Sequence, residues 1–371
     1  MRILLIARHY PPAVSGGAKR PFLLAQALRS AGADVHVVAP SLPGGEPGWI
    51  VPHANRDPGS SGETPRPNIR GIAREILLWP DPDIRWCLRA ARTVIASGMK
   101  FDWVVSTSPP ESIHVAGEYL ARRLGARWAA DFRDLWLLNP HRQERNRWHR
   151  RTGEALIAKC LLPRASLVTA VDSFVAKEVR SLGATAVQVL PHFTVSTAPT
   201  PAKLPQDRVN VVHAGSVALS DPQADIVQML KPFELARQSN PALLLHLVGR
   251  LTDIETDAVA RSSSAADIVV YGPKPLADAL SFMAGADGLI FVASAKMHVP
   301  PSKVVDYLMF DTPIIATGDG PWRADPRIST CDAALQLQQL AKRSSRPMLK
   351  PTFSAGDAAN LLLKWMTPAL L

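Results

Sequence analysis

The chain has 371 residues, 47% of them hydrophobic, and a formal net charge of +10. That length exceeds what one hydrophobic core usually serves, so two domains are expected. No apolar run approaches the roughly 18 residues of a membrane-spanning helix, which excludes spanning helices. The cysteines, Cys87, Cys160 and Cys331, have neither metal nor redox spacing, so a reducing compartment and structural thiols are expected. The positive balance suits an anionic ligand or an anionic membrane surface, and no nucleic-acid motif accompanies it.

Ile3 to Ala7 is a continuous apolar strand, too short for a signal peptide. The loop R-H-Y-P-P-A-V-S-G-G-A-K-R follows, then a helix closed by Gly32 and a second strand, Asp34 to Ala39. This is a β-loop-α-β unit with its glycines in the first loop. Gly16 and Gly17 let backbone approach a ligand closely. The spacing is not G-x-G-x-x-G, so a dinucleotide fingerprint is absent. Residues 41–68 are rich in Pro, Gly and Ser, and both a flap beside a cleft and plain disorder fit them. Residues 71–98 read as mostly helical, broken at Pro80-Asp81-Pro82.

Phe101 to Thr107 is a strand ending in S-T-S-P-P-E-S, Ile113 to Leu124 a helix, and Arg127 to Ala130 a strand running into D-F-R-D-L-W. Ser108, Asp131, Arg133 and Asp134 therefore fall beyond the carboxyl ends of parallel strands, where functional groups of such sheets gather. Two acids around an arginine equally describe a structural salt bridge. His141 to Arg151 is basic and carries Trp148. It reads either as a helix lying on anionic lipid or as a solvated face. Strands at Leu167–Val171 and Val187–Leu190 complete the first half. The proline-rich residues 191–208 read as a linker. A second α/β pattern follows at once, with strands at Val209–His213, Leu243–Val248, Asp267–Tyr271 and Gly288–Val292. Two successive α/β domains imply a ligand cleft.

The stretch P-P-S-K-V-V-D-Y-L-M-F-D-T-P-I-I-A-T-G-D-G, residues 300–320, organises the second half. It reads as a loop, a short helix capped by the Ser302 hydroxyl, a tight turn and a buried strand. Free N–H groups at the helix start, with Lys303 in the first turn, offer an anion site. Asp306 lies on the same face, towards the cleft, and could accept hydrogen bonds from sugar or ribose hydroxyls; a solvated Lys/Asp pair at i, i+3 explains the same residues.

P-P-A-V-S-G-G-A-K-R, S-T-S-P-P, D-F-R-D-L-W, V-V-H-A-G-S, L-V-G-R, Y-G-P-K-P-L and P-S-K-V-V-D-Y-L occur in an order that resembles GT-B-type glycosyltransferases of the family-4, retaining group. The resemblance implies two Rossmann-like doubly wound domains facing across a cleft: residues 1–190 on the acceptor side, a 191–208 linker, 209–355 holding a nucleotide diphosphate sugar, and a 356–371 helix crossing back to the first domain. It implies Gly16, Gly17, Gly215, Ser216 and Asp306 at the donor, with no metal and no cofactor. The family's Arg/Lys pair after G-S is missing here, and His298 stands where its first acid would fall. Arg250, Lys274, Lys296 and Lys303 are the candidate replacements, with Lys303 the best placed, and Ser302 joins them on the donor side. Lys303, Asp131 and Arg133 are the catalytic candidates, with Ser108 and Asp134 on the acceptor side. A histidine base is not assigned, and His114 reads as structural. The implied partners are the donor, a glycan or lipid-linked acceptor and an anionic membrane surface, with the protein cytoplasmic or peripheral on the inner face of the cell membrane. A nucleotide-sugar epimerase of the same fold and a non-catalytic sugar-nucleotide-binding partner are the alternatives.

Overall fold

The computed structural model describes residues 1–14, 16–53, 79–139, 148–197, 199–293, 301–318, 320–329, 332–343, 348–349 and 351–367. The chain divides into two compact units, Met1–His192 with Gly356–Leu371, and Phe193–Ala355. The expected flap beyond residue 53, the 71–78 part of the expected helix, residues 140–147 of the basic stretch, Lys296 and His298 lie outside the described residues.

In the first unit β1 (Arg2–Ala7) leads through the glycine loop into α1 (Gly16–Ser30) and back to β2 (Asp34–Ala39). A short strand, β3 (Gly48–Ile50), pairs beside β2 within the stretch expected to be loop. Then come α2 (Ile84–Ala96), β4 (Trp103–Ser108), α3 (Ser112–Leu124), β5 (Arg127–Phe132), α4 (Trp148–Leu161), β6 (Leu167–Ala170), α5 (Ser173–Ser181) and β7 (Val187–Val189). All these strands pair in parallel in the order β3-β2-β1-β4-β5-β6-β7. The reversal between β1 and β4 is the topological switch point, and loops leaving the carboxyl ends on either side of it diverge to leave room for a ligand.

The second unit repeats the plan with β8 (Val209–Ala214), α6 (Val227–Ser239), β9 (Leu243–Val248), α7 (Asp253–Ala260), β10 (Ile268–Val270), α8 (Leu276–Gly285), β11 (Gly288–Val292), α9 (Ser302–Tyr307), β12 (Ile314–Thr317), β13 (Ile328–Ser329) and α10 (Ala333–Gln339). Its order is β10-β9-β8-β11-β12-β13, again parallel, with the switch between β8 and β11. Every residue of β8, β9 and β11 is buried, as expected for strands covered by helices on both faces. Val212, Leu289 and Ile314 line one core and Val211, Leu245 and Ile315 the other, so alternate residues fill opposite faces. One polar residue interrupts β9: His246 is buried but bonded to Asn210 Oδ1 (2.9 Å) and the Tyr271 hydroxyl (3.0 Å). A final helix, α11 (Ala355–Met366), starts at the boundary and groups with the first unit.

Candidate functional site

In the first unit the candidate residues gather at the carboxyl ends of β1, β4 and β5. Arg20, on α1, donates from Nε and Nη2 to both carboxylate oxygens of Asp131 (2.9 and 2.7 Å) and also reaches the Pro191 and Leu190 carbonyls. The hydroxyls of Thr107 and Thr169 donate to the same carboxylate (2.8 and 2.7 Å). Burial alone would raise the Asp131 pKa, but Arg20 and these hydroxyls hold it down to about 2. Arg133 donates to three carbonyls, Ser108 (2.5 Å), Gly17 (2.6 Å) and Pro109 (3.3 Å). It ties the glycine turn of α1 to the loop after β4. A Cβ on Gly17 would lie 3.1 Å from the His9 ring, a tight contact for which the ring must shift by a few tenths of an ångström.

Burial pushes the His9 imidazole down to about 4, with Arg133 and Arg8 adding to the effect. His192 is driven well below the usual range by burial and by Arg20, Lys19 and Arg133. Both histidines are neutral at physiological pH chiefly because they are buried, and the cations that add to the effect favour an incoming anion. Ser108 is buried, its hydroxyl 3.4 Å from the Asp131 carbonyl, while Asp134 is half-buried. The loop after β5 is held by Glu178, which accepts from the N–H groups of Trp136, Leu137 and Leu138 (2.6, 3.0 and 2.8 Å). His114 pairs with Ser106 (2.9 Å), its ring 4.3 Å from Phe132, which is a structural placement.

In the second unit β8 ends in Gly215, with φ +107°, a conformation that favours glycine. A Cβ on Gly249, at the end of β9, would lie 2.3 Å from the Gly215 carbonyl oxygen, so the two turns need glycine to meet. Lys303 Nζ donates to the Ser216 carbonyl (3.0 Å). Burial lowers its pKa to about 8, against the opposing charges of Asp221 and Glu255. A carbonyl satisfies one N–H but does not neutralise the ammonium. Beneath the loop, His213 Nδ1 donates to the Ile290 carbonyl (3.0 Å), and burial with the Lys303 charge pushes this imidazole down to about 3. Glu255 caps α7 through Thr252 and also accepts from Ala218 N (2.9 Å), which fixes the far side of the loop. Tyr307 accepts from Ala214 N (2.8 Å) and lies 3.2 Å from the carbonyls of Ala214 and Ile290, bolting α9 to the end of β8 and the middle of β11.

Three expectations change. Pro301, not Ser302, occupies the cap position of α9, and Ser302 is its first helical residue. Asp306 does not face outward: it is 6% exposed and accepts from the Thr194 hydroxyl (2.5 Å). Lys303 and Asp306 are therefore not a solvated pair but reach in two directions. The structure brings Gly215, Ser216 and Lys303 into contact; Arg250 is exposed after β9 and Lys274 half-buried after β10, both at the same carboxyl edge. Gly16, the first helical residue of α1, is exposed. Arg20 stands out in the sequence only as a charge beside the glycines, and His9, Thr194, Glu255 and Tyr307 do not stand out at all. Tyr307 left a trace in the D-Y-L run and Glu255 in its spacing from Thr252; His9 and Thr194 are recognised only by neighbours far along the chain. Among the described residues no group of three or more His, Cys, Asp or Glu side chains could hold a metal ion.

Two doubly wound parallel units, each presenting a glycine turn at its switch point, define a GT-B-type α/β protein with Rossmann-like domains. Residues 15–192, in its first unit, match the model of the glycosyl transferase 4-like domain. No curated protein sequence matches the chain. Among solved structures it resembles a putative UDP-N-acetylglucosamine 2-epimerase from Listeria monocytogenes (12% identity, TM-score 0.60, covering 98% of this chain and 94% of that one). It also resembles AviGT4, a glycosyltransferase involved in avilamycin A biosynthesis (13%, 0.55, 98% and 96%). A third likeness is to S. aureus MnaA in complex with UDP (11%, 0.55, 98% and 94%). At such identities the likeness carries the fold.

Proposed function

We propose that the protein is a glycosyltransferase that moves a sugar from a nucleotide diphosphate sugar to a glycan or lipid-linked hydroxyl, with retention at the anomeric carbon. The observation that carries this reading is the Lys303 ammonium held over the Gly215–Ser216 turn by a carbonyl rather than a carboxylate. In the reaction the bond from the anomeric carbon to the diphosphate oxygen breaks. A bond from that carbon to the acceptor oxygen forms, the acceptor proton passes to the departing phosphate, and the products are a glycoside and a nucleoside diphosphate. Charge gathers on the leaving diphosphate, and fixed N–H groups and cations that meet it there lower the barrier. Lys303, the Gly215 and Ser216 turn and Ser302 take the diphosphate, and Arg250 and Lys274 line the donor edge. These cations meet the diphosphate charge without a metal. Asp131 and Arg133 act as positioning residues, because each is already engaged by the scaffold. Ser108 and Asp134 serve the acceptor side. The UDP held by S. aureus MnaA makes UDP-sugars the first donors to try.

The likeness to the Listeria epimerase favours a second reading, epimerisation of a nucleotide sugar, which requires proton transfer at a sugar carbon. One experiment separates them. Nucleotide sugars are screened for thermal stabilisation, since a ligand of the native state raises the melting point. The best donor is then incubated in deuterated water with and without glycan acceptors. Acceptor-dependent release of nucleoside diphosphate is the expected result. Deuterium in the recovered nucleotide sugar would favour the epimerase, and binding without turnover a non-catalytic partner.

A further inference from the structure

The chain passes between the two units twice, at His192–Phe193 and at Ala355–Gly356. On the second-unit side the two passages are paired to each other: Thr194 and Ser354 form a parallel bridge, and Ala355 N donates to the Thr194 carbonyl (2.9 Å). The Thr194 side chain, 1% exposed, donates to Asp306 Oδ1 at 2.5 Å, and its hydroxyl oxygen also lies 2.9 Å from Met309 Sδ. One hydroxyl has one proton, and the carboxylate is the stronger acceptor. Asp306 lies on α9, between Lys303, which grips the Ser216 carbonyl, and Tyr307, which grips the end of β8 and the middle of β11. A helix of six residues has no stability of its own, so these side-chain ties decide its pose.

We propose that Thr194 and Asp306 are positioning residues of the donor site: their bond sets the pose of α9, and with it Lys303, and links donor occupancy to the paired passages. This rests on the donor reading above. The residue that the family resemblance would place on the ribose here holds the chain passage, and displacement of Lys303 by a diphosphate is felt at Thr194 through one short helix.

Three proteins are compared by calorimetry with UDP, GDP and ADP as probes: wild type, Thr194→Val, which keeps shape and loses the hydroxyl, and Thr194→Ser, which keeps it. Thr194→Val is expected to bind the preferred diphosphate roughly 2- to 30-fold more weakly, the range for a coupling of 0.5–2 kcal/mol, and Thr194→Ser to restore affinity. In wild type the same diphosphate should slow amide exchange at residues 193–196 and 352–356, a change that a purely structural bond would not show. If Thr194→Val does not fold, this exchange measurement decides by itself. Binding to wild type that is lost in Lys303→Ala but unchanged in Thr194→Val, with no change in exchange, overturns the inference and leaves the donor reading intact. No binding of any of the three diphosphates to wild type overturns both.

Discussion

Lys303 shows how one side chain can be costly to the fold and useful to a ligand. In an unfolded chain its amine titrates near 10.5, and in the folded unit at about 8 because burial disfavours the charged form. Between those values the unfolded state holds the extra proton, so stability rises with pH across that window; below it both states are charged and the burial cost is constant. Lys303→Met should therefore raise stability at pH 7 by on the order of 1–3 kcal/mol, an advantage that shrinks towards pH 10.5, as denaturant titrations at several pH values will show. Ligand affinity has the opposite trend. An arriving diphosphate favours the ammonium, so UDP binding should weaken above pH 8 by up to about tenfold per unit, while Lys303→Arg keeps affinity flat. Calorimetry across pH 7 to 9.5 checks both, and a flat wild-type profile would place the phosphates elsewhere. The Arg20–Asp131 pair is the contrasting case: two buried charges that satisfy each other and the ends of β5 and β7. Removing one partner of such a pair leaves an uncompensated buried charge.

At the scale of elements, the donor-side turn is held from two sides by helix ends. The start of α7 is a complete capping box, Thr252 with Glu255, and the other Glu255 oxygen receives Ala218 N from the turn. A cap of this kind contributes about 0.5–2 kcal/mol. Thr252→Ala should lower stability by that amount, seen as a lower melting point, and leave UDP affinity near wild type. Glu255→Ala should lower both, because it also frees the turn that carries Ser216. Equal UDP affinity in the two variants would show that the turn keeps its shape without Glu255. The other tie is α9, where Lys303, Asp306 and Tyr307 sit at i, i+3 and i+4 and so face three different partners from one short helix.

For the whole molecule, the excess of positive charge and one helix bear on where it works. On α4, Trp148 is 79% and Leu156 60% exposed, with Arg151 and Lys159 also at the surface. No described helix is long and apolar enough to cross a membrane. If the acceptor is lipid-linked, as proposed, α4 is the surface expected to rest on anionic lipid. Each basic residue near such a surface adds about 1 kcal/mol, and added salt screens it. The protein should sediment with vesicles rich in phosphatidylglycerol at low salt, less at high salt, and less again in Trp148→Ala. Equal recovery with neutral vesicles would leave α4 a solvated face.

The fold was largely legible in the sequence because its signals are local. The run G-L-I-F-V could only be a buried strand, and it is β11 over the same residues. Gly215 marked a turn after a strand, and the turn is there, whereas Gly16 and Gly17, expected in the first loop, are the first two residues of α1. Gly48–Ile50 escaped notice because three residues carry no periodicity, and what makes them a strand is pairing with β2. The site was legible as a set of residue types but not as a set of contacts. Spacing placed Lys303 and Asp306 on one helix and could not show that Asp306 turns to Thr194, 112 residues away. Nor could it show that Arg20 closes on Asp131 across 111 residues. Periodicity and turn chemistry are properties of neighbouring residues, so the sequence alone determined the elements and their order. Which carboxylate meets which donor depends on how the strands are ordered and which faces are buried, and only the tertiary structure decided that.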